Sequence, residues 1–327
     1  MTPLALHGTK RVPKKSLERA SLSQIGVIIP TYNAGKSWQD LQGALDKQGI
    51  EKSQILVIDS SSSDSTQTQV KQSGYRLVTI PKEEFGHGRT RQAACQYLPS
   101  ATIFLYMTQD AIPQLGSFEH LCSAFNDPLV GAAFGRQLPR EQADPIERHA
   151  RLFNYPATSD VRNFASRDRL GIKAAFLSNS FAAYRRSALD EIGGFPRDVI
   201  IAEDTIVAAR LLIAGWKVAY QADAAVIHSH SMTLSEEFAR YFDTGVHHAR
   251  ENWLLAKFGH AGQEGRRFVL SELHYLQMTS PLSIPRAVIR TANKWLAYQL
   301  GRREQHLPLF MKRAFSGHPD FWHDHSG

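Results

Sequence analysis

The chain has 327 residues, 43% hydrophobic and 21% charged, which is ordinary for a soluble globular enzyme with one large domain and an appendage. Its formal net charge of +7 favours an anionic partner, such as a nucleotide, a phospholipid surface or nucleic acid. There is no signal-peptide stretch and no apolar run of about eighteen residues, so we expect a soluble or peripheral protein. Cys95 and Cys122 lack metal-binding spacing, and a reducing, cytoplasmic compartment is the default expectation.

Strands and helices alternate over the first third of the chain. Runs rich in β-branched residues predict strands, and apolar residues at helical spacing predict helices. The predicted strands are 24–30, 54–60, 75–81 and 102–107, and the predicted helices are 37–49, 65–74 and 90–98. This alternation indicates right-handed βαβ units and a mostly parallel sheet.

The pattern loosens from about residue 130. The predicted elements are a strand at 130–139, a helix at 145–156, a strand, helix and turn within 178–196, a helix at 203–216 and a strand pair at 217–231. Beyond residue 233 the sequence becomes helical, aromatic and basic. We therefore predict a loose leader at 1–23, a main α/β domain at 24–232 and a helical C-terminal region at 233–327.

Polar segments follow four of the predicted strands. In open parallel sheets, ligands bind beyond the carboxyl ends of the strands. The segments are Pro30-Thr31-Tyr32-Asn33, Asp59-Ser60, 83–91 and Thr108-Gln109-Asp110. On this evidence, Asp110 is either a metal ligand or a loop carboxylate that caps the next turn.

Nine ordered segments carry a resemblance to a known family. They are "VIIPTYNAG", "ILVIDSSSSDST", "EFGHGRTRQ", "TQDA", "GRQLP", "FNYP", "SNSFAAYRRSALDEIGGFP", "AEDT" and "VIHSH". Together they resemble the family 2 inverting glycosyltransferases of the GT-A fold, and most of all the bacterial rhamnosyltransferases that build surface polysaccharides. The resemblance spans about residues 25–250. It implies a Rossmann-like, mostly parallel twisted sheet flanked by helices, with a helical C-terminal region.

The resemblance assigns the chemical step to the acidic pair of "AEDT". Asp204 would be the general base that takes the proton of the acceptor hydroxyl, and Glu203 would orient the acceptor. The alternative interpretation is that the two acids only complement the dipole of the helix that they begin.

A divalent cation, Mg²⁺ or Mn²⁺, is the implied cofactor. Asp110 matches the last aspartate of the family's DxD motif, which is degenerate here as Thr108-Gln109-Asp110, and a carboxylate oxygen suits such a cation. "VIHSH" offers His228 and His230 as a further ligand, with His228 the better match. Imidazole suits Mn²⁺ better than Mg²⁺.

The remaining implied contacts divide between donor and acceptor. Asp59 would accept a hydrogen bond from the base of the nucleotide. Asp64 either matches a loop position of the family or caps the next helix. Arginine side chains would reach phosphate oxygens. The other implied donor-binding residues are Pro30, Thr31, Tyr32, Asn33, Ser60, His87, Gly88, Arg89, Arg91 and Gln109. The implied acceptor or sugar contacts are Arg136, Gln137, Lys173, Ser178 and Asn179.

The implied function is transfer of L-rhamnose from dTDP-rhamnose onto a lipid-linked glycan or surface polysaccharide. The alternatives are a UDP-hexose donor or a non-catalytic module that binds nucleotide sugars or glycans. Nucleic acid is not an expected partner, because it would not explain the ordered acids. Our central prediction is that Asp59, Asp110 and Asp204 gather around one nucleotide diphosphate.

The segment 285–313 predicts a basic, aromatic, amphipathic helix. Arg286, Arg290 and Lys294 recur at intervals of four, which fits attachment to the inner face of an anionic membrane. A helix packed on the catalytic domain with a solvated basic face is the equal alternative. The sequence does not reveal the oligomeric state.

Overall fold

A computed structural model of the chain describes residues 22–229, 231–259 and 262–322. The predicted leader therefore lies outside the described residues, except for Leu22 and Ser23. His230 also lies outside them. The division into domains at residue 232 stays a prediction, although the first C-terminal helix begins at Leu234.

One sheet of nine strands organises the described part of the chain. The strands are β1 (Ile25–Thr31), β2 (Ile55–Asp59), β3 (Arg76–Thr79), β4 (Ile103–Met107), β5 (Ile112–Pro113), β6 (Val130–Leu138), β7 (Asp160–Arg162), β8 (Phe181–Arg185) and β9 (Lys217–Ile227). Their order is β3-β2-β1-β4-β8-β6-β9-β5, and β7 pairs with β9.

The sheet is mixed rather than mostly parallel. Strands β3, β2, β1 and β4 are parallel to one another, as predicted. Strand β8 is antiparallel to both β4 and β6, β6 is parallel to β9, and β5 and β7 are antiparallel to β9. The direction of a strand depends on how its connections cross the fold, so the apolar runs alone did not predict it.

Helices cover both faces of the sheet. They are α1 (Ser37–Leu45), α2 (Thr66–Ser73), α3 (His87–Ala94), α4 (Ser117–Ser123), α5 (Pro145–Asn154), α6 (Arg167–Leu170), α7 (Arg186–Glu191), α8 (Glu203–Ile213), α9 (Leu234–Arg250), α10 (Asn252–Phe258), α11 (Gly262–Thr279), α12 (Ile284–Arg302) and α13 (Leu309–Phe315). Alternate residues of β4 belong to different cores, with Phe104 and Tyr106 in one and Leu105 in the other. A strand that is buried on both faces explains why β4 is a continuous apolar run.

The predicted strand pair at 217–231 is wrong, because β9 is a single long strand. Its pairing with β6 jumps from Gly135–Gln221 to Arg136–Ala225. The extra residues form a bulge, and the backbone N–H of Ala222 donates to the Ser159 hydroxyl at 2.9 Å. A bulge inserts residues without reversing the chain.

Helix α12 packs along α9 with its basic face turned inward. The guanidinium of Arg290 makes two hydrogen-bonded contacts of 2.9 Å with the Glu237 carboxylate of α9, and the Lys294 ammonium lies 3.2 Å from the same group. The expectation of a solvated basic face is therefore wrong for these two residues, while Arg286 remains largely exposed beside Asp144. Within the described residues, no helix is long and apolar enough to cross a bilayer.

Candidate active site

The loops after β1, β2 and β4 are joined by hydrogen bonds into one surface. The backbone N–H of Tyr32 donates to the Gln109 side-chain oxygen at 2.8 Å, and the Gln109 amide returns a bond of 3.1 Å to the Tyr32 carbonyl. Asn33 lies in the left-handed region at φ 46° and accepts from the backbone N–H of Ser63 at 2.9 Å. These bonds place the predicted segments side by side at the carboxyl ends of the strands.

Asp59 is fully buried beneath this surface rather than exposed to a ligand. Its carboxylate accepts hydrogen bonds from Thr31, from the backbone and hydroxyl of Ser62, and from the Gln67 amide, all at 2.5 to 3.1 Å. Both oxygens are therefore engaged within the protein. In this arrangement Asp59 organises the serine-rich loop, and its predicted bond to a nucleotide base, which would require one of these partners to move, stays a prediction.

Asp64 is exposed and lies two residues before helix α2. Its Oδ1 accepts from the backbone N–H of Thr66 at 3.0 Å, and the Thr66 hydrogen bonds hold its pKa below the usual value. The N-cap position of α2 is Ser65, which makes no side-chain capping bond. The interpretation of Asp64 as the N-cap is therefore wrong by one residue, although its carboxylate does satisfy a backbone N–H of the first turn.

A cavity of about 490 Å³ lies against the joined loops, within the usual range for small-molecule sites. Predicted donor-binding residues that line it are Pro30, Thr31, Tyr32, Ser60, His87, Arg89, Arg91 and Gln109. The Lys82 ammonium lies 4.9 Å from the centre of the Tyr32 ring. Lys82 and Arg197 also line this cavity, and sequence reasoning missed both as candidate phosphate contacts. We call this space the nucleotide cavity, after the donor-binding residues predicted for it.

The predicted glycine-rich loop is helical from His87 onward. Gly88 is buried in α3, and a Cβ added there would collide with the carbonyl oxygen of Pro196. Its lack of a side chain therefore serves the packing of α3 against the turn after α7, and no ligand contact is needed to explain it.

Arg91 and Glu203 form a buried ion pair under the site. The two side chains are each 6% exposed, and Nη1 of Arg91 lies 2.6 Å from Oε1 of Glu203. The Asn179 amide also donates to that oxygen at 2.8 Å. Burial opposes ionisation of Glu203, but Arg91 and Asn179 outweigh it and keep the pKa of Glu203 below its usual range.

Asp204, the next residue, has the opposite electrostatic environment. Burial raises the pKa of Asp204 to about 7, and the negative charge of Glu203 adds to the rise. Its oxygens accept from two backbone N–H groups, those of Asn179 at 3.2 Å and Thr205 at 2.8 Å. Two adjacent carboxyl groups thus titrate differently, which is a recurrent way to set up acid–base chemistry near neutral pH.

Asp204 lines a second cavity of about 670 Å³, which we call the acceptor cavity. Three of the predicted acceptor contacts, Gln137, Ser178 and Asn179, also line it. The other two do not: Arg136 donates to the Tyr155 carbonyl at 3.2 Å, and Lys173 pairs with Glu264. Arg136 and Lys173 therefore direct their charged groups to other parts of the protein and not to the cavity.

Asp110 and His228 meet at the wall of the acceptor cavity. Nε2 of His228 lies 3.5 Å from Oδ1 of Asp110. Nδ1 of His228 lies 2.8 Å from the side-chain oxygen of Gln137, which also accepts from Arg151 at 2.7 Å. Arginine is only a donor, so it fixes this Gln137 atom as the oxygen. The proton of a neutral His228 must then lie on Nδ1, and the Nε2 lone pair faces Asp110.

These two residues fit a divalent cation in chemistry but supply only two ligands. The contact with Gln137 suits a metal-bound histidine, whose other ring nitrogen is usually hydrogen-bonded. The described residues contain no cluster of three or more candidate ligands. A cation here would depend on oxygens from a bound substrate for its remaining ligands.

The two cavities adjoin and share six described residues. These are His87, Arg91, Thr108, Asp110, Gly317 and His318. Asp110 and Asp204 both line the acceptor cavity, whereas Asp59 lines neither cavity. That the three aspartates gather around one nucleotide diphosphate stays a prediction. Sequence reasoning also missed three residues that line the acceptor cavity. Arg151 lies in helix α5, and its position in the sequence did not indicate a cavity. Gly317 and His318 lie beyond the recognised motifs.

The family model for glycosyl transferase family 2 matches residues 26–193. The chain belongs to this family. The O-antigen chain rhamnosyltransferase RfbN of Salmonella typhimurium is 45% identical over 303 residues, covering 92% of this chain and 96% of the relative. The O-antigen chain rhamnosyltransferase WbaN of Salmonella anatum is also 45% identical, over 91% of this chain and 95% of that relative. The protein is thus an enzyme, a glycosyltransferase.

Solved structures agree on the fold of this glycosyltransferase. The mannosyltransferase PcManGT from Pyrobaculum calidifontis, in complex with GDP-Man and Mn²⁺, superposes with a TM-score of 0.54 at 19% identity. That match covers 91% of this chain and 84% of the mannosyltransferase. The predicted GT-A fold is confirmed.

The Arg91–Glu203 pair generates a stability prediction. Arg91→Ala leaves the Glu203 charge buried without its main partner, so we expect the free energy of unfolding to fall by about 3–5 kcal/mol. Urea unfolding followed by circular dichroism measures the change.

Two further variants test the cause. Arg91→Met combined with Glu203→Gln removes both charges of the pair and should recover most of the loss. Arg140→Ala removes an exposed partner that lies 3.8 Å from Glu147, and should cost less than about 1 kcal/mol. Equal losses for Arg91→Ala and Arg140→Ala would contradict the interpretation.

Proposed function

We propose that this enzyme transfers L-rhamnose from dTDP-rhamnose, with inversion, onto a lipid-linked glycan of a surface polysaccharide such as O-antigen. The observation that carries the proposal is the position of Asp204, a partly buried carboxylate that lines one cavity next to a second cavity suited to a nucleotide. The sugar and the acceptor class are proposed from the two Salmonella relatives, whose 45% identity extends over nearly the whole chain. The dTDP carrier is proposed from the resemblance to rhamnosyltransferases.

In the proposed reaction, the acceptor hydroxyl attacks the anomeric carbon from the face opposite the diphosphate. The new carbon–oxygen bond forms as the bond to the diphosphate oxygen breaks, and the hydroxyl proton passes to the Asp204 carboxylate. The nucleoside diphosphate leaves with the bonding electron pair. A base with a pKa of about 7 is well matched to this proton transfer at neutral pH.

Mg²⁺ or Mn²⁺ is the proposed cofactor, held by Asp110 and His228 together with diphosphate oxygens. The cation would offset the negative charge that grows on the leaving diphosphate. Arg89, Arg197 and Lys82 are proposed to contact the phosphates from the opposite part of the nucleotide cavity.

The proposal is tested by incubating the protein with Mn²⁺, a lipid-linked glycan acceptor and a panel of nucleotide sugars. Release of dTDP from dTDP-rhamnose, together with a rhamnosylated product, is the expected result. Turnover of a UDP-hexose in preference to dTDP-rhamnose would replace the proposed donor. Binding of these compounds without any turnover would contradict the proposed reaction.

Asp204→Asn should fold normally and lose at least about two orders of magnitude in turnover, because an amide cannot accept the proton. In the unchanged enzyme, kcat/KM should rise with pH through about 7 as Asp204 loses its proton. Product formation measured from pH 5.5 to 8.5 tests both expectations. Asp223→Asn, which changes an exposed aspartate of β9, is the matched control, and near-normal activity of Asp204→Asn would remove Asp204 from the role.

Gln137→Leu should weaken Mn²⁺ binding about tenfold or more, since His228 loses the acceptor that fixes its tautomer. Gln137→Glu keeps an oxygen acceptor for both His228 and Arg151 and should bind Mn²⁺ nearly as well as the unchanged protein. Titration of Mn²⁺ in the presence of dTDP, followed by electron paramagnetic resonance, distinguishes the variants. Equal affinities for Gln137→Leu and the unchanged protein would contradict this chain of contacts.

We also propose that the outward face of α12 attaches the enzyme to the inner surface of the cell membrane. With its basic face paired to Glu237, the helix presents Val288, Ile289, Trp295 and Leu296 to solvent. Leu282, just before the helix, is 95% exposed, and Trp295 is 64% exposed. Arg286, with its side chain 58% exposed, and the net charge of +7 favour anionic lipid headgroups.

Replacing Ile289 and Trp295 together by Ser should abolish binding to vesicles that contain phosphatidylglycerol, because the apolar contact area is lost. Co-sedimentation with vesicles, with phosphatidylcholine vesicles for comparison, measures the loss. Leu115→Ser changes a residue that is 80% exposed elsewhere and should have no effect. Absence of vesicle binding by the unchanged protein would contradict the attachment.

A further inference from the structure

The end of the described chain, Ser316–Trp322, is firmly attached to helix α9. The backbone N–H of Gly317 donates to Oδ2 of Asp243 at 2.9 Å. Trp322 is 1% exposed and packs against Phe242 with ring centres 6.5 Å apart. Because both ends of this terminal segment are held, it occupies a defined position.

That position is over the junction of the two cavities. Gly317 and His318 line both cavities, while Pro319, Asp320 and Phe321 line the nucleotide cavity alone. The His318 ring meets the His87 ring edge-on, with centres 5.3 Å apart. The terminal segment therefore faces the start of helix α3 across the cleft.

The junction is where the reacting bond must lie if the proposed function is correct. The diphosphate belongs to the nucleotide cavity, and the attacking hydroxyl must lie near Asp204 in the acceptor cavity. The transferred sugar connects the two. Side chains that line both cavities are thus the ones that a bound sugar would meet.

His318 is chemically suited to a sugar hydroxyl. Its ring nitrogens have no hydrogen-bond partner among residues 22–229, 231–259 and 262–322, although it is close to the cleft. Burial lowers the pKa of His318, so the ring is neutral at pH 7 and offers one N–H donor and one acceptor nitrogen. A neutral ring is a poor partner for a diphosphate and a good one for a hydroxyl.

We propose that the terminal segment forms part of the donor site and that His318 is a positioning residue that hydrogen-bonds a hydroxyl of the transferred sugar. This inference rests on the proposed function and extends it to a part of the chain beyond the matched family model, which ends at residue 193. It makes the segment a determinant of which sugar the enzyme accepts.

The test compares the affinities of two probes, dTDP and dTDP-rhamnose, by calorimetry in the presence of Mn²⁺. His318→Ala should weaken binding of dTDP-rhamnose about three- to tenfold, the usual net effect of a lost hydrogen bond. Its affinity for dTDP should be unchanged, because dTDP lacks the sugar. His318→Asn, which retains a donor and an acceptor, should recover part of the loss.

His306→Ala changes an exposed histidine that lines neither cavity and should bind both probes like the unchanged protein. Equal weakening of both probes by His318→Ala would overturn the inference, since it would indicate a general disturbance of the cleft. Unchanged binding of both would overturn it as well. If the unchanged protein binds no nucleotide sugar, the proposed function fails and the inference fails with it. If it prefers another nucleotide sugar, only the proposed donor fails, and the His318 comparison applies to that pair.

Discussion

The proposed catalytic centre depends on how the protein holds two adjacent carboxyl groups, one of them buried and the other partly exposed to a cavity. Glu203 and Asp204 begin helix α8, after Ala202 in the left-handed region at φ 61°. Two poorly solvated carboxyl groups side by side cannot both ionise cheaply. Arg91 resolves the conflict by pairing with Glu203 at 2.6 Å. Glu203 then remains ionised, while its charge and burial raise the pKa of Asp204.

This single ion pair also joins distant parts of the fold. Arg91 comes from helix α3, which follows the edge strand β3, and Glu203 comes from helix α8, which precedes β9. Asn179, which precedes β8, bonds to Glu203 through its side chain and to Asp204 through its backbone. The parallel and antiparallel halves of the sheet thus meet at the site. At the nucleotide cavity, a buried residue also positions residues that line the space. Asp59 is buried and organises the loop, while its neighbours Thr31 and Ser60 line the cavity.

The C-terminal region provides both an outward-facing surface on helix α12 and a segment that lines the cleft. Helix α12 directs two basic side chains inward to Glu237, so the surface that remains outside is apolar. The chain then returns to the catalytic cleft and places Gly317 and His318 between its two cavities. If the proposals are correct, one region both locates the enzyme at its lipid-linked acceptor and completes the donor site.

The sequence by itself determined the local elements and the general place of the chemistry. Continuous apolar runs such as 102–107 predicted buried strands, and the strand-end rule pointed to Asp110 because these signals depend only on neighbouring residues. The family resemblance of the ordered motifs predicted that Asp204 belongs to the same site. Only the tertiary structure decided which side chains are partners. Asp59 accepts hydrogen bonds on both oxygens, and Arg91 pairs with Glu203 as Lys173 does with Glu264. The tertiary structure also brings His318 to the cleft. The environment of a charged or polar side chain depends on its tertiary contacts. Arg91 and Glu203 are more than a hundred positions apart, so neither local sequence indicates that the two side chains are paired.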